Sequence, residues 1–306
     1  MGALIEAEEP GDIFHAVVSS SFDADRLDYV VRDRYMTGAG AGAIDQEWLI
    51  DNLITFEVSV PQDDDVPRRV PTFVFKPKGR QAAEDFLLAR YRLYSQIYLH
   101  KTTRGFEQLV TALFKHIGTD TTDLGKMGLP SNHPLVVFLR MTDSADDDAG
   151  AQQKIQTLKR LDDTQVWSVI AQLAECGDEY ARDVADRLLW RKPLKVVDLT
   201  SKFGHNKNDD ALVNAEKRIE DRLSGQFGKT VFRDYAPLNL YSRIGGESAK
   251  EHKKVRVLNG AGEAVEIPDF PDTIINGNLT KKQKLTRYYF LHEEEKAIAE
   301  KAMDGR

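Results

Sequence analysis

Cysteine is almost missing from this chain. A single one, Cys176, excludes an intrachain disulfide framework and a cysteine zinc cluster, and it fits a reducing compartment. Long apolar runs are missing too. The longest clean one, Leu135 to Leu139, is far too short to span a bilayer. The N-terminus is acidic (Glu6, Glu8, Glu9) and has no apolar stretch of signal-peptide length, so a cytoplasmic protein without a membrane partner is expected. An excess of positive charge is lacking as well. The formal net charge of −7 works against general nucleic-acid binding. There is no internal repeat and no serine or cysteine nucleophile set.

What is present is a soluble globular composition of 306 residues, enough for a large core and two domains. Apolar residues at helical spacing predict a helix over 22–36, closed by the glycines of 38–42 as a flexible turn. Ahead of it, Ile13, Phe14, Val17 and Val18 read as a packed helical turn. Ile44 to Ile54 reads as a second helix or turn with Trp48 and Leu49 inward. Alternation over 55–60 and 72–76 then predicts a β-hairpin with a long polar loop. Gln81 to Ile117 carries the strongest helical period in the chain. Helices follow over 135–141, 155–161, 164–174 and 178–190, with Asp163 or Thr164 as a cap. Beyond residue 192 the pattern mixes. Strands are read at 195–199, 229–232, 254–258 and 264–267, the last two joined by a turn at Asn259-Gly260. A helix is read at 209–225, and a charged terminal helix follows a strand or helix around 287–291. The fold class expected is mainly α: a helical body over 1–192 with a β-hairpin insertion, and a smaller α+β tail over 193–306.

Two stripes carry the chemistry. In the first helix Asp25, Tyr29 and Asp33 stand four residues apart on one face. A carboxylate, a phenol and a second carboxylate in a row suit a metal ion beside a sugar-phosphate ligand. In the long helix Arg90, Tyr94, Tyr98 and Lys101 form one stripe with two cations and two phenols. Arginine offers a fork of donors to phosphate oxygens and lysine a point charge. Packed together, the two faces would make a cleft with a metal end and a polyphosphate end. The competing readings are a solvated face for the first stripe and an amphipathic helix with snorkelling ends for the second. Asp28 and Arg32 read as a surface ion pair worth little.

The run Asp23-Ala24-Asp25-Arg26-Leu27-Asp28-Tyr29, then Arg32-Asp33, then Arg90 and Tyr98-Leu99-His100-Lys101, resembles the HD-domain phosphohydrolases. The nearest branch is the deoxynucleoside triphosphate triphosphohydrolases. The likeness extends over residues 12 to about 200 and thins out in the tail. It implies that Asp25 is the last metal ligand of the HD set and that Tyr29 packs on the nucleotide sugar. It implies that Asp33 lies near the sugar 3′-hydroxyl, that Arg90 and Lys101 lie near the phosphates, and that Tyr98 lines the sugar pocket. Tyr94 stands where the family carries another polar residue. The implied ligand is a dNTP, the implied cofactor a divalent ion such as Mg²⁺ or Mn²⁺, and the implied reaction attack at the α-phosphorus with release of triphosphate. The family also holds its metal with a His and a His-Asp pair N-terminal to this motif. None of the seven histidines here is followed by Asp, and only His15 precedes Asp25. One carboxylate does not hold a catalytic divalent ion tightly. The chain by itself is therefore expected to be inactive. It is read as an HD phosphohydrolase lacking most of its metal site. The alternative is a non-catalytic nucleotide-binding or assembly subunit, homo-oligomeric or paired with a chain that supplies the missing ligands.

Smaller features have plain readings. His100 is expected to be packed and hydrogen-bonded. Asp63–Asp65 and Asp146–Asp148 read as solvated loop tips, and Asn278-Leu279-Thr280 as a glycosylation sequon in form only. Lys281-Lys282-Gln283-Lys284 is too short a basic run to make this acidic chain a nucleic-acid binder.

Overall fold

The computed structural model describes residues 13–40, 43–60, 68–141, 148–204, 210–238, 254–275 and 283–305. The last two residues of the glycine turn, 41–42, the polar loop with Asp63–Asp65, most of the acidic stretch at 143–148, the sequon and Lys281-Lys282 lie outside them. The chain is mainly α, as its periodicity predicts. It forms two compact units, each discontinuous in sequence: residues 1–99 with 237–284, and 100–236 with 285–306. This division differs from a single cut at residue 192. A pattern change along the chain marks a change of element type, whereas a unit is defined by which elements share a core.

In the first unit the helices are α1 (Ile13–Val18), α2 (Ala24–Thr37), α3 (Gln46–Asp51) and α4 (Arg80–Leu93). The hairpin is β1 (Leu53–Val60) and β2 (Arg68–Phe75), antiparallel, with Leu53 opposite Phe75 and Val58 opposite Val70. It is half of a four-stranded sheet. β2 continues in parallel to β5 (Arg256–Leu258), which pairs antiparallel with β6 (Ala264–Glu266). The β5–β6 turn is tied by Asn259, whose Oδ1 accepts the N–H groups of Ala261 and Glu263 at 2.9 Å each. Its left-handed residue is Gly262 (φ +80°). The core joins Phe22, Leu27 and Val30 to Phe86, Leu87, Leu93 and the sheet residues Phe75 and Val257. Two inward assignments fail here. In α1 it is His15 and Ala16 that are buried, while Phe14, Val17 and Val18 are exposed. In α3 Leu49 is wholly buried, but Trp48 is 42 % exposed beneath the Lys78 ammonium. A six-residue helix gives too few turns for a period to single out its inner face.

The second unit runs through α5 (Lys101–Gly118), α6 (Leu124–Met127), α7 (Pro134–Arg140), α8 (Asp148–Leu158), α9 (Asp163–Leu173) and α10 (Glu179–Leu189). It ends with β3 (Lys195–Asp198), α11 (Leu199–Phe203), α12 (Asp210–Leu223), β4 (Val231–Leu238), β7 (Gln283–Phe290) and α13 (Glu293–Met303). Its strands form a three-stranded sheet in the order β3-β7-β4, with Val197 opposite Tyr288. The α9 cap is Asp162, one residue before the predicted pair, and its carboxylate accepts the Gln165 N–H at 2.8 Å. No described helix is long and apolar enough to cross a membrane.

The continuous helix read over 81–117 is broken. After α4 the chain makes a single π-helical turn, Tyr94–Tyr98, closed by the Leu99 N–H donating to the Tyr94 carbonyl at 2.8 Å. His100 then takes an extended conformation and caps α5, its Nδ1 accepting the Thr102 N–H at 3.2 Å. The histidine is hydrogen-bonded, as expected, but exposed rather than packed. Apolar periodicity does not register a break of one turn, because both halves keep their own buried faces.

Candidate functional site

The site is assembled by α2, α4 and the π-turn, all within the first unit. α2 begins where it does because Asp23, extended in backbone, caps it: its Oδ1 accepts the Arg26 N–H at 2.8 Å. α2 ends at Gly38, whose left-handed φ of 66° lets its N–H donate to the Arg34 carbonyl at 3.1 Å. Leu27 and Val30 are buried and pin the helix to the core. That burial turns Tyr29 and Asp33 to the border between core and solvent, where α2 packs on α4. Asp25 lies further out and is exposed.

From the other side come Arg90, Tyr94 and Tyr98. The Tyr98 hydroxyl donates to Asp33 Oδ2 at 2.5 Å, a charge-assisted bond that joins the two predicted stripes. The three phenols pack edge to face. Ring centroids lie 6.3 Å apart for Tyr29 and Tyr98, and 5.1 Å apart for Tyr94 and Tyr98. The Arg90 guanidinium sits 5.6 Å from the Tyr94 ring centroid, in cation–π range. Burial, then the Asp33 hydrogen bond, push the Tyr98 phenol well above its ordinary pKa, so it stays a donor. Burial also raises Tyr29, against the field of Arg90, and Tyr94 adds a hydrogen bond that favours the neutral phenol.

Arg90 forms no salt bridge among the described residues, although it is half-buried. Its field does reach Asp23. That carboxyl is only 4 % exposed, and burial raises its pKa against the Arg26 N–H bond and the charges of Arg26 and Arg90. Arg26 closes the loop: its Nη1 pairs with Asp23 and donates to the Ser20 carbonyl at 2.6 Å. Sequence reasoning singled out neither Asp23 nor Arg26. The cap position of Asp23, three residues before the Arg26 N–H that it accepts, was the available signal.

The geometry thus brings together Tyr29, Asp33, Arg90, Tyr94 and Tyr98, with Asp25 on the exposed first turn of the same helix. Lys101 belongs to a separate helix from Arg90. It stands on the exposed first turn of α5, in the second unit, after the π-turn and the His100 break. Asp28 and Arg32 form the expected exposed pair at 3.0 Å.

The residues present do not by themselves fit the divalent metal that the resemblance implies. Among the described residues no group of three or more His, Cys, Asp or Glu side chains is disposed to hold one. His15 is buried in α1, His100 and His133 cap helices, and His116 pairs with Asp178 at 3.1 Å.

Comparison with known proteins agrees with this layout at a coarse level. Residues 45–152 match the HD associated region family. An uncharacterized protein of Methanocaldococcus jannaschii is 33 % identical over 129 residues, which cover 42 % of this chain and 27 % of that protein. The uncharacterized protein YwfO of Bacillus subtilis is 36 % identical over 98 residues, covering 32 % of this chain and 20 % of that one. The chain therefore matches only about a quarter or less of these relatives' length. Among solved structures, a phosphohydrolase from Bacteroides thetaiotaomicron superposes with a TM-score of 0.65 at 22 % identity, covering 95 % of this chain and 66 % of that one. A hypothetical protein from Aquifex aeolicus gives 0.53 at 23 % identity, covering 92 % and 57 %. One segment of the chain thus matches the HD associated region, and the fold is similar to that of a phosphohydrolase.

Proposed function

We propose that this chain supplies the nucleotide-binding wall of an HD-type phosphohydrolase, with a deoxynucleoside triphosphate as ligand. The observation that carries this reading is the half-buried Arg90 guanidinium, stacked on Tyr94 and without a carboxylate partner among the described residues, on the same wall as the Tyr98–Asp33 hydrogen bond. A guanidinium left uncommitted is a receptor for phosphate oxygens. The phenol rings of Tyr29 and Tyr98 offer an apolar face to a sugar. Asp33 keeps acceptor capacity beyond the Tyr98 bond and so takes a sugar hydroxyl. Asp25, an exposed carboxylate on the same helix, is suited to a metal contact, and it needs further ligands. That need favours a second reading: a non-catalytic nucleotide-binding subunit that pairs with a chain bearing His and His-Asp ligands.

Two measurements on the full chain separate these. Titration calorimetry with each dNTP should show binding that Arg90→Ala weakens at least tenfold. Absence of binding, or equal binding by Arg90→Ala, would overturn both readings. Triphosphate release from a dNTP with Mn²⁺ or Mg²⁺, lost in Asp25→Ala, supports the hydrolase. Binding without release supports the subunit.

A further inference from the structure

A cleft in the second unit is unused by the reading above and independent of it. Its volume is about 470 Å³, within the range of small-molecule sites. One wall is a stripe of α5 with Gln108, Thr111 and Lys115, and the other is built from α12, β4 and the loop between them.

The charges in this cleft are not balanced. Glu220, the acidic group of the wall, is committed on two sides. Arg233 Nη1 pairs with it, and the Tyr288 hydroxyl donates to the same oxygen at 3.2 Å. Tyr288 is wholly buried, so this anchor is part of the core. Lys115, exposed on the facing helix, makes no ion pair among the described residues. Arg233 has five N–H donors, more than one carboxylate oxygen consumes, and its guanidinium is steadied 4.7 Å from the Tyr235 ring centroid. The spare charge of the cleft is therefore positive, against the net −7 of the whole chain. Aromatic side chains line the same cleft. Phe232 is buried in the wall, and Phe227 is held edge-on to Tyr288 with centroids 6.1 Å apart.

We infer that this cleft binds a small aromatic anion, a ring bearing one carboxylate or phosphate, whose charge lies between Lys115 and Arg233 and whose ring packs on Phe227 and Phe232. Ligand-observed NMR and calorimetry on the full chain test it, with phenyl phosphate and benzoate as probes. Inorganic phosphate and benzyl alcohol serve as the separated halves. At least one probe should bind tenfold or more tightly than either half. Lys115→Gln, an exposed position that leaves the core intact, and Phe227→Ala should each weaken it at least tenfold. Arg90→Ala, in the other unit, should leave it unchanged. No binding of either probe at millimolar concentration overturns the inference. So does unchanged binding by Lys115→Gln, loss of binding in Arg90→Ala, or inorganic phosphate binding as well as phenyl phosphate.

Discussion

Tyr98 joins two helices through one oxygen. Its hydroxyl donates to Asp33, and its ring meets those of Tyr29 and Tyr94 edge to face. Tyr98→Phe keeps the ring and removes the bond, isolating the polar term. The expected loss is about 1 kcal/mol, since Asp33 is partly solvated and finds water in place of the phenol. Chemical denaturation should show that loss with an unchanged m-value, and dNTP affinity should fall with it because Asp33 is no longer oriented. A variant as stable as the native chain would mean that the bond contributes nothing. Arg26 and Asp23 behave differently. Their pairing is internal to the start of α2, so they hold the frame of the site rather than its rim.

The π-turn after α4 ends the stripe at Tyr98 and sends Lys101 into a new helix. At the start of α10, Asp178 caps the helix and also accepts from His116 on α5, which sits edge-on to Tyr180. Burial pushes the Asp178 carboxyl up, but the Ala181 N–H, His116 and the Tyr180 N–H outweigh it and hold it below its ordinary range. A depressed carboxylate stabilises the fold above its unfolded pKa of about 3.9, and the contribution is lost as pH falls through the lower folded value. Asp178→Asn keeps the cap and removes the charge. At pH 6–7 it should lower Tm by about 2–4 °C, the equivalent of about 1 kcal/mol. The gap should close as pH drops below about 4. Thermal melts of both proteins from pH 7 to pH 3 test this, and a gap that persists at pH 3 would contradict the ion-pair account.

At the scale of the molecule, each unit has its own core. Phe86 is wholly buried in the first, and Leu113 is wholly buried in the second among Leu109, Ile117, Val184 and Leu188. Truncating either leaves a cavity, costing about 3–5 kcal/mol for Phe86→Ala and about 2–5 for Leu113→Ala. Hydrogen exchange should show the loss of protection concentrated in the unit that carries the substitution. Equal loss across both units from either variant would show that they unfold as one.

The sequence by itself determined the elements. Period, caps and turn residues gave α2 nearly to the residue, the two strands of the hairpin and the mainly α class, because these depend on neighbours a few positions away. It also set Asp25, Tyr29 and Asp33 on one helical stripe and Arg90, Tyr94, Tyr98 and Lys101 on another. Tertiary structure alone decided the rest. It split the long helix at a wider turn that both flanking periods tolerate. It also drew the β5–β6 hairpin of the tail into the first unit, beside β2, because strand pairing joins backbones far apart in the chain. Packing of α2 on α4 is what turned separated side chains into one hydrogen-bonded cluster, and no spacing rule within a single helix reports which second helix lies against it.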